Sequence, residues 1–288
     1  MIETTLADPG LVEITLNGET ALAHADATIL DVCRAQDVDI PTMCFLETLT
    51  PFNSCRLCVV EIAGSRTLIP SCSRTVEVGM ETTPESERVA NTRRVLYEMY
   101  ASTVDLSLAD DDTRRWMAKY EVKPGRFGEY ESHRKVKIQD DLYIRDYDKC
   151  VMCYRCVAAC GTEAQNTFAI DVAGRGLSSM ISTEFDVVLP DSACVYCGNC
   201  IGVCPTGALM FKSEYDMREA GSWDESRQTV TTTICSFCGV GCSLDLHVQD
   251  NRIVKVSSPL DHDVTDGHLC IKGRFGYAHI QEEAGRST

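Results

Sequence analysis

Apolar and polar residues alternate over Leu11-Val12-Glu13-Ile14-Thr15-Leu16, the two-residue period of a half-buried strand, and Asn17-Gly18 then supplies a strong hairpin turn. A short helix is expected from Thr28 to Gln36, and strands at Val59 to Ile62 and Thr67 to Ile69 around a turn at Gly64. Thr83 followed by Pro84 reads as a helix start, a capping hydroxyl with proline at the first helical position; Val89, Leu96, Tyr97 and Tyr100 follow at helical spacing. A second helix is expected from Asp110 to Tyr120. Residues 121–140 hold Pro124-Gly125, Gly128 and many charges, and read as a linker. Gly174-Arg175-Gly176 reads as a turn. Lys212 to Gln228 is a further polar stretch, leading into the β-rich run Thr229 to Thr233. Strands are predicted at Leu244 to Val248 and Arg252 to Val256, joined across Asp250-Asn251.

Length alone, 288 residues, suggests two domains. A net charge of −16 argues against a nucleic-acid partner, which would select a basic face. Met1 to Asp8 shows neither a basic start nor an apolar run, and no stretch approaches the roughly 18 apolar residues of a membrane span. A cytoplasmic chain without membrane insertion is expected. There thiols stay reduced, and dense cysteine signifies metal rather than disulfide.

Cysteine changes the picture most. Sixteen of the seventeen fall into four successive sets of four, leaving Cys33 over. They are Cys44, Cys55, Cys58, Cys72; Cys150, Cys153, Cys156, Cys160; Cys194, Cys197, Cys200, Cys204; and Cys235, Cys238, Cys242, Cys270. The layout argues for three or four small modules, each too small to be securely stable without a metal site. The two middle sets repeat one another, Cys-Val-Met-Cys-Tyr-Arg-Cys-Val-Ala-Ala-Cys at 150 and Cys-Val-Tyr-Cys-Gly-Asn-Cys-Ile-Gly-Val-Cys-Pro at 194, which marks an internal duplication. Zinc fits this spacing poorly, because three cysteines at C-x2-C-x2-C crowd a single metal.

The duplicated run resembles the two-cluster bacterial ferredoxins. That resemblance implies two [4Fe–4S] clusters with crossed ligation. One would take Cys150, Cys153, Cys156 and Cys204, and the other Cys194, Cys197, Cys200 and Cys160. Pro205 follows the second run as in that pattern, whereas Gly161 follows the first, a departure that bears on the local turn. The first set, C-x10-C-x2-C-x13-C, differs from the plant-type spacing. With Asp39-Ile40-Pro41-Thr42-Met43-Cys44 and Cys55-Arg56-Leu57-Cys58-Val59-Val60-Glu61 it resembles the N-terminal [2Fe–2S] domain of the large iron–sulfur subunit of complex I and of related hydrogenases and formate dehydrogenases. The implied fold there is a β-grasp ferredoxin with one [2Fe–2S] cluster, zinc being the alternative. Those relatives carry a His-plus-three-Cys [4Fe–4S] site next. Here Ser102-Thr103-Val104-Asp105-Leu106 stands in its place and no cysteine occurs between 72 and 150, so that cluster is expected to be absent. His133 reads as a solvated linker residue and Cys33 as a small buried hydrophobe.

The last set, C-x2-C-x3-C-x27-C, resembles the N-terminal [4Fe–4S] domain of molybdenum- or tungsten-bispterin oxidoreductases, formate dehydrogenases in particular. The strings are Cys235-Ser236-Phe237-Cys238-Gly239-Val240-Gly241-Cys242 and Leu269-Cys270-Ile271-Lys272-Gly273-Arg274-Phe275-Gly276-Tyr277. The resemblance implies that Lys272 is an electron relay between cluster and pterin; the plainer alternative is a surface lysine at a loop end. No G-x-G-x-x-G follows a strand, so no dinucleotide site is expected. The chain ends 18 residues after Cys270, which leads to the expectation that molybdopterin and substrate sit on a partner chain.

The expected architecture is α+β. It comprises a [2Fe–2S] β-grasp domain at 1–80, a helical connector at 81–140, a two-[4Fe–4S] ferredoxin domain at 141–212 and a small β-rich [4Fe–4S] domain at 229–288. The function the resemblance implies is electron transfer, through one [2Fe–2S] and three [4Fe–4S] clusters, between a molybdopterin (Mo or W) catalytic subunit oxidising formate and a subunit holding FMN and NAD. No complete active site is expected on this chain. An electron-wire subunit of a hydrogenase or of an NADH:quinone oxidoreductase-type complex is the alternative, and a redox-inert zinc protein a third reading.

Overall fold

A computed structural model describes residues 10–128 and 134–286. The readings of Met1 to Asp8 and of His133 lie outside the described residues. The chain divides into two compact units, one formed by residues 10–45, 51–103 and 110–128, the other by 46–50, 104–109 and 134–286. Both are mixed α+β, with small sheets.

In the first unit, β1 (Leu11–Leu16) and β2 (Glu19–His24) pair antiparallel, with Leu16 opposite Glu19. Asn17 and Gly18 both take positive φ (52° and 85°), the turn whose twist matches the strands it joins. Alternation then puts Ile14, Leu16, Ala21 and Ala23 into the core. Helix α1 (Ile29–Ala35) starts in a capping box: Thr28 Oγ1 accepts from the Asp31 amide at 3.2 Å, and Asp31 accepts from the Thr28 amide at 2.8 Å. Its inner face buries Ile29, Leu30, Val32 and Cys33.

Strand β3 (Val59–Ile62) pairs with the short edge strand β4 (Ile69–Pro70). The expected strand over Thr67 to Ile69 is thus shifted toward its end. Ser65 turns back on Thr67 at 2.7 Å and Arg56 takes the Leu68 carbonyl, while Pro70, lacking an N–H, sits at an edge where no donor is needed.

Strand β5 (Glu81–Thr83) lies between β1, to which it is parallel, and β3 in the order β2-β1-β5-β3-β4. The sheet therefore runs past residue 80, where the sequence reading ended the first domain. Thr83 belongs to this strand and caps nothing. Helix α2 (Glu87–Ala101) starts instead at Ser86, whose hydroxyl accepts from the Val89 amide at 3.1 Å. The long-range pairing of Thr82 and Thr83 with Leu16, Glu61 and Ile62 holds the Thr-Pro in extended backbone.

Helix α3 (Asp111–Lys119), capped by Asp110 as its sequence suggests, stacks Trp116 on Tyr120 with centroids 5.6 Å apart. Two buried charges on α2 hold it in place, Arg93 against the sheet and Glu98 against the segment that follows α3. Arg93, fully buried, donates to the carbonyls of Leu57 and Val59 (both 2.9 Å), to Glu85 (2.8 Å) and to the Tyr120 hydroxyl (2.9 Å). Glu98 accepts from Arg126 at 2.6 Å.

The second unit opens with β6 (Lys137–Ile138), inside the stretch read as linker, and β7 (Tyr143–Arg145). Helix α4 (Arg155–Cys160), strands β8 (Asp171–Ala173) and β9 (Met180–Ser182), helix α5 (Asn199–Gly202) and β10 (Leu209–Phe211) follow, with β10-β7-β6 forming one sheet. The polar stretch after 212 is partly helical, as α6 (Lys212–Glu219). Ion pairs four residues apart support it, Lys212 with Asp216 at 2.6 Å and Arg218 with Glu214 at 2.7 Å.

A sheet β11-β12-β13 (Thr229–Ile234, Ser243–Gln249, Arg252–Ser257) comes next, then α7 (Ile271–Phe275) and α8 (Tyr277–Arg286). Phe275 of α7 reaches the core around β7 and β10, with its ring 5.5 Å from Phe211 and 6.4 Å from Tyr143. Among the described residues no helix is long and apolar enough to cross a membrane.

Removing the Arg93 side chain leaves two buried carbonyls and a buried phenol without their donor. Arg93→Ala is expected to destabilise the first unit by about 3 kcal/mol or more, read from the denaturant midpoint of tryptophan fluorescence. Arg93→Lys, which lacks the fork that spans Leu57 and Val59, is expected to recover less than half of that loss.

Candidate functional site

Turns carry the cysteines, and their backbone explains why. In the duplicated runs the third and fifth positions are left-handed in both copies: Met152 (φ 53°) and Tyr154 (66°), then Tyr196 (56°) and Gly198 (70°). Three of these four are not glycine, so the loops hold a conformation that L-residues take only under tertiary constraint. The consequence is that an amide two residues on turns back to the sulfur. The Met152, Arg155, Tyr196 and Asn199 N–H groups donate to the sulfurs of Cys150, Cys153, Cys194 and Cys197 respectively. Leu57 does the same for Cys55 in the first unit. Such bonds favour the thiolate, the form that ligates metal.

In the second unit the eleven-residue repeat forms two adjoining cavities. One is bordered by Cys150, Cys153, Cys156 and Cys204 with Tyr147 and Ile181. Its neighbour is bordered by Cys160, Cys194, Cys197 and Cys200 with Tyr143 and Arg145. The fourth cysteine of each run therefore faces the three of the other. Helices α4 and α5 do this, carrying Cys160 and Cys204 a turn beyond the loops. Burial, then the neighbouring thiols, pushes Cys156 and Cys200 well above the usual thiol range. Buried sulfurs gathered in this way repel one another's charge, so the donor set suits a cationic metal centre at its middle.

Further bonds surround the sulfurs. Cys160 Sγ accepts from the Ala169 amide at 3.2 Å. The Tyr143 hydroxyl lies 3.1 Å from Cys194 Sγ, and burial followed by the Cys200 and Cys194 thiols keeps that phenol protonated.

Cys44, Cys55, Cys58 and Cys72 gather in the first unit, all buried. Cys58 and Cys72 place their sulfurs 3.3 Å apart, and Cys44 is hydrogen-bonded to Cys55. That hydrogen bond draws Cys44 down to about 5, and the one from Cys72 draws Cys58 down to about 7. Cys55 and Cys72, holding the shared protons, are raised. The cysteines thus group two by two, Cys44 with Cys55 and Cys58 with Cys72, the grouping in which a two-iron centre would take two sulfurs to each iron. Cys33 stands apart in the apolar core, its thiol pushed to about 12 by burial.

The last set sits where β11 gives way to β12 and where α7 begins. Cys235 is buried and its amide donates to the Cys242 carbonyl at 2.8 Å, while Cys238 and Cys270 are exposed. Burial raises the Cys242 thiol, with Cys235, Cys270 and Cys238 adding to it, so all four share one neighbourhood. Cys270 caps α7, and Lys272, two residues on, is exposed on that helix. Among the described residues no group of three or more His, Cys, Asp or Glu is drawn close enough for a single ion.

Sequence reasoning missed the groups that join this set to its neighbour. Asn199 Oδ1 accepts from the Leu269 amide at 2.8 Å and from Arg274 Nη2 at 3.1 Å. Arg274, 1% exposed, also donates to the Val256 carbonyl at 3.2 Å and the Cys197 carbonyl at 3.5 Å. A side chain at Gly198 would come within 2.9 Å of Arg274, and one at Gly202 within 3.3 Å, so both glycines make room for it. Burial pulls this guanidinium down to about 10, and it stays charged at neutral pH. The only signal was the string Gly273-Arg274-Phe275-Gly276, which sequence cannot aim at a residue some 75 positions away.

Three families match in succession along the chain. Residues 10–87 match the 2Fe-2S iron–sulfur cluster binding domain, and 142–210 the ferredoxin-like domain of NADH-quinone oxidoreductase subunit 3. Residues 228–282 match the molybdopterin oxidoreductase Fe4S4 domain. The chain carries a 2Fe-2S domain and 4Fe-4S-binding domains.

The chain is similar to the iron–sulfur domains of NADH-quinone oxidoreductase- and formate dehydrogenase-like subunits. The NADPH-Fe(3+) oxidoreductase subunit alpha of Geobacter sulfurreducens is 30% identical over 276 residues, covering 94% of this chain and 32% of its own length. A putative formate dehydrogenase of Staphylococcus haemolyticus is 26% identical over 317 residues, covering 94% of this chain and 31% of its own. Among solved structures, an NAD+-reducing [NiFe]-hydrogenase in the H2-reduced state aligns with a TM-score of 0.62 at 25% identity, covering 70% of this chain and 87% of that one. The chain spans about a third of the length of the curated relatives it matches.

Replacing Asn199 by Ala deprives the Leu269 amide and Arg274 of a shared acceptor. Hydrogen exchange at the Leu269 amide is expected to speed up at least tenfold, in line with about 1–3 kcal/mol for a lost buried partner, while the Ile14 amide in the other unit keeps its rate.

Proposed function

We propose that this chain is an electron conductor of an NAD(P)-linked oxidoreductase complex. Cys44, Cys55, Cys58 and Cys72 would hold a [2Fe–2S] cluster. Three [4Fe–4S] clusters would be held by Cys150, Cys153, Cys156 and Cys204; by Cys160, Cys194, Cys197 and Cys200; and by Cys235, Cys238, Cys242 and Cys270. Bound there, each cluster supplies a reversible one-electron centre. The observation that carries this reading is the exchange of Cys160 and Cys204 between the two central cavities. A cysteine pair traded between adjoining cages sets two centres side by side, and because each C-x2-C-x2-C corner crowds a single zinc ion, the arrangement favours paired clusters, which serve conduction.

The residues of the chain do the rest. Amides turned back onto the sulfurs stabilise thiolates, apolar walls keep water from the central cavities, and the Tyr143 phenol offers a bond to Cys194. The last set differs, with Cys238 and Cys270 exposed beside the exposed apolar residues Phe237, Val240 and Ile271. That open side supports a further protein surface carrying a molybdopterin (Mo or W), with Lys272 between it and the Cys270 sulfur. On this reading formate is oxidised to CO2 at that centre, and a flavin/NAD subunit exchanges electrons with the [2Fe–2S] end, in the cytoplasm. The molybdopterin-type match at 228–282 and the putative formate dehydrogenase relative support formate; the NAD+-reducing hydrogenase structure supports a second reading, a conductor in a hydrogenase-type complex.

Anaerobically purified chain is expected to contain about fourteen irons and to absorb near 400 nm, by the cluster types proposed. A count near eighteen would reveal a further cluster in the 81–140 connector, and colourless protein holding zinc would end the conductor reading. In the native complex, reduction by formate but not by H2 selects the formate reading. Lys272→Met is expected to slow formate-driven reduction of the clusters by about tenfold or more with iron content unchanged; an unaltered rate makes Lys272 an ordinary surface lysine.

A further inference from the structure

Two fully buried guanidinium groups in the second unit have no carboxylate in direct ion-pair contact; Asp186 acts on Arg145 only from beyond that distance and is itself paired with Lys137 at 2.6 Å. Arg145, at the end of β7, is 2% exposed and borders the cavity of Cys160, Cys194, Cys197 and Cys200. Its Nη1 donates to the Tyr147 hydroxyl at 3.2 Å and its Nη2 to Gln139 Oε1 at 2.5 Å, both neutral, and its Nε–H is buried with no acceptor. Arg274 has only neutral oxygens as partners, among them the carbonyl of Cys197. Among the described residues neither is within 4.0 Å of a carboxylate. The buried Arg93 of the first unit shows the ordinary solution, a glutamate at 2.8 Å.

Leaving a charge buried and unpaired costs several kcal/mol, so such groups are retained where an anion completes them. A cubane held by four thiolates is an anion, and it gains a further negative charge when reduced. Both arginines converge on one cavity, Arg145 from its wall and Arg274 from behind the Cys197 loop. The adjoining cavity of Cys150, Cys153, Cys156 and Cys204 has no arginine or lysine in its wall; Arg134 and Arg155 act on Cys150 and Cys153 from outside it, and both are only half-buried, so water screens them more than it does Arg145 and Arg274.

We propose that Arg145 and Arg274 are the counter-charges of the cluster on Cys160, Cys194, Cys197 and Cys200, and make it the first of the two central cubanes to take an electron. A fixed positive charge nearby stabilises the more negative, reduced form. The cluster between the terminal set and its twin is thereby the station where an electron rests. Arg274 has a second duty in this arrangement: by holding Asn199 and the Cys197 carbonyl it keeps the terminal set registered on the cavity whose potential it raises. The proposal rests on the cluster assignment above.

The test is an EPR-monitored potentiometric titration of the full, anaerobically prepared chain, with iron measured on every sample. The signal of the cluster in question is assigned by its change in Cys194→Ser, and that of its twin by its change in Cys150→Ser. In the unaltered protein the first is expected to appear at the higher potential; the reverse order overturns the proposal without any arginine variant. Arg145→Gln and Arg274→Gln are each expected to lower the reduced-to-oxidised ratio of that cluster about tenfold at fixed ambient potential, about 59 mV for one electron, and to move its twin less than threefold. Arg145→Lys is expected to keep most of the ratio. Unshifted potentials with full iron in both Gln variants overturn the proposal while sparing the cluster assignment. Unaltered protein that lacks iron on these cysteines overturns the assignment itself.

Discussion

Gathering sulfur away from water is the constraint on which the structure depends. Thiolates repel one another, and burial penalises each of them, so four in one place are unfavourable until a cation joins them. The chain lowers that penalty beforehand. Left-handed residues at Met152, Tyr154, Tyr196 and Gly198 turn amides onto the sulfurs, and an amide of the first unit does the same for Cys55. The strain of those backbones is the local counterpart of a site that only a metal completes.

The two units meet this constraint differently. In the first, a sheet and a short helix form an apolar core, and the cysteine loops are tied to it by Arg93, which holds the carbonyls of Leu57 and Val59 on either side of Cys58. In the second the apolar core is built around the two cavities, with Tyr143, Tyr147, Ile181 and Leu209 packed against cysteines and Phe211 and Phe275 behind them. Phe275 and Arg274 anchor the terminal module to the same core.

Much of this was legible in advance. Alternation at Leu11 to Leu16 with Asn17-Gly18 specified the first hairpin, Thr28 and Asp110 specified two helix starts, and Asp250-Asn251 joined the last two strands. All these are decided within a few residues. The misreadings have a common origin. Thr83-Pro84 has the local chemistry of a helix start, but pairing with Leu16 and Glu61 claims it for the sheet. Lys137-Ile138 lies in the stretch read as a linker and becomes a strand by pairing with Arg145 and Ile144.

Cysteine spacing was the part that sequence alone determined: sixteen cysteines in four sets, spaced so that one turn presents two or three sulfurs to one point. Short-range spacing does that, since a loop of three residues has few conformations. Tertiary structure decided what spacing is silent on, namely which remote residues close each cage and which charges lie behind it. Nothing in the sequence marks Arg145, Arg274 or Asn199 as buried. Their burial, and their convergence on one cavity from some 130 residues apart, arises only when β7, α5 and α7 pack together, because a side chain's electrostatic role is set by what excludes water from it.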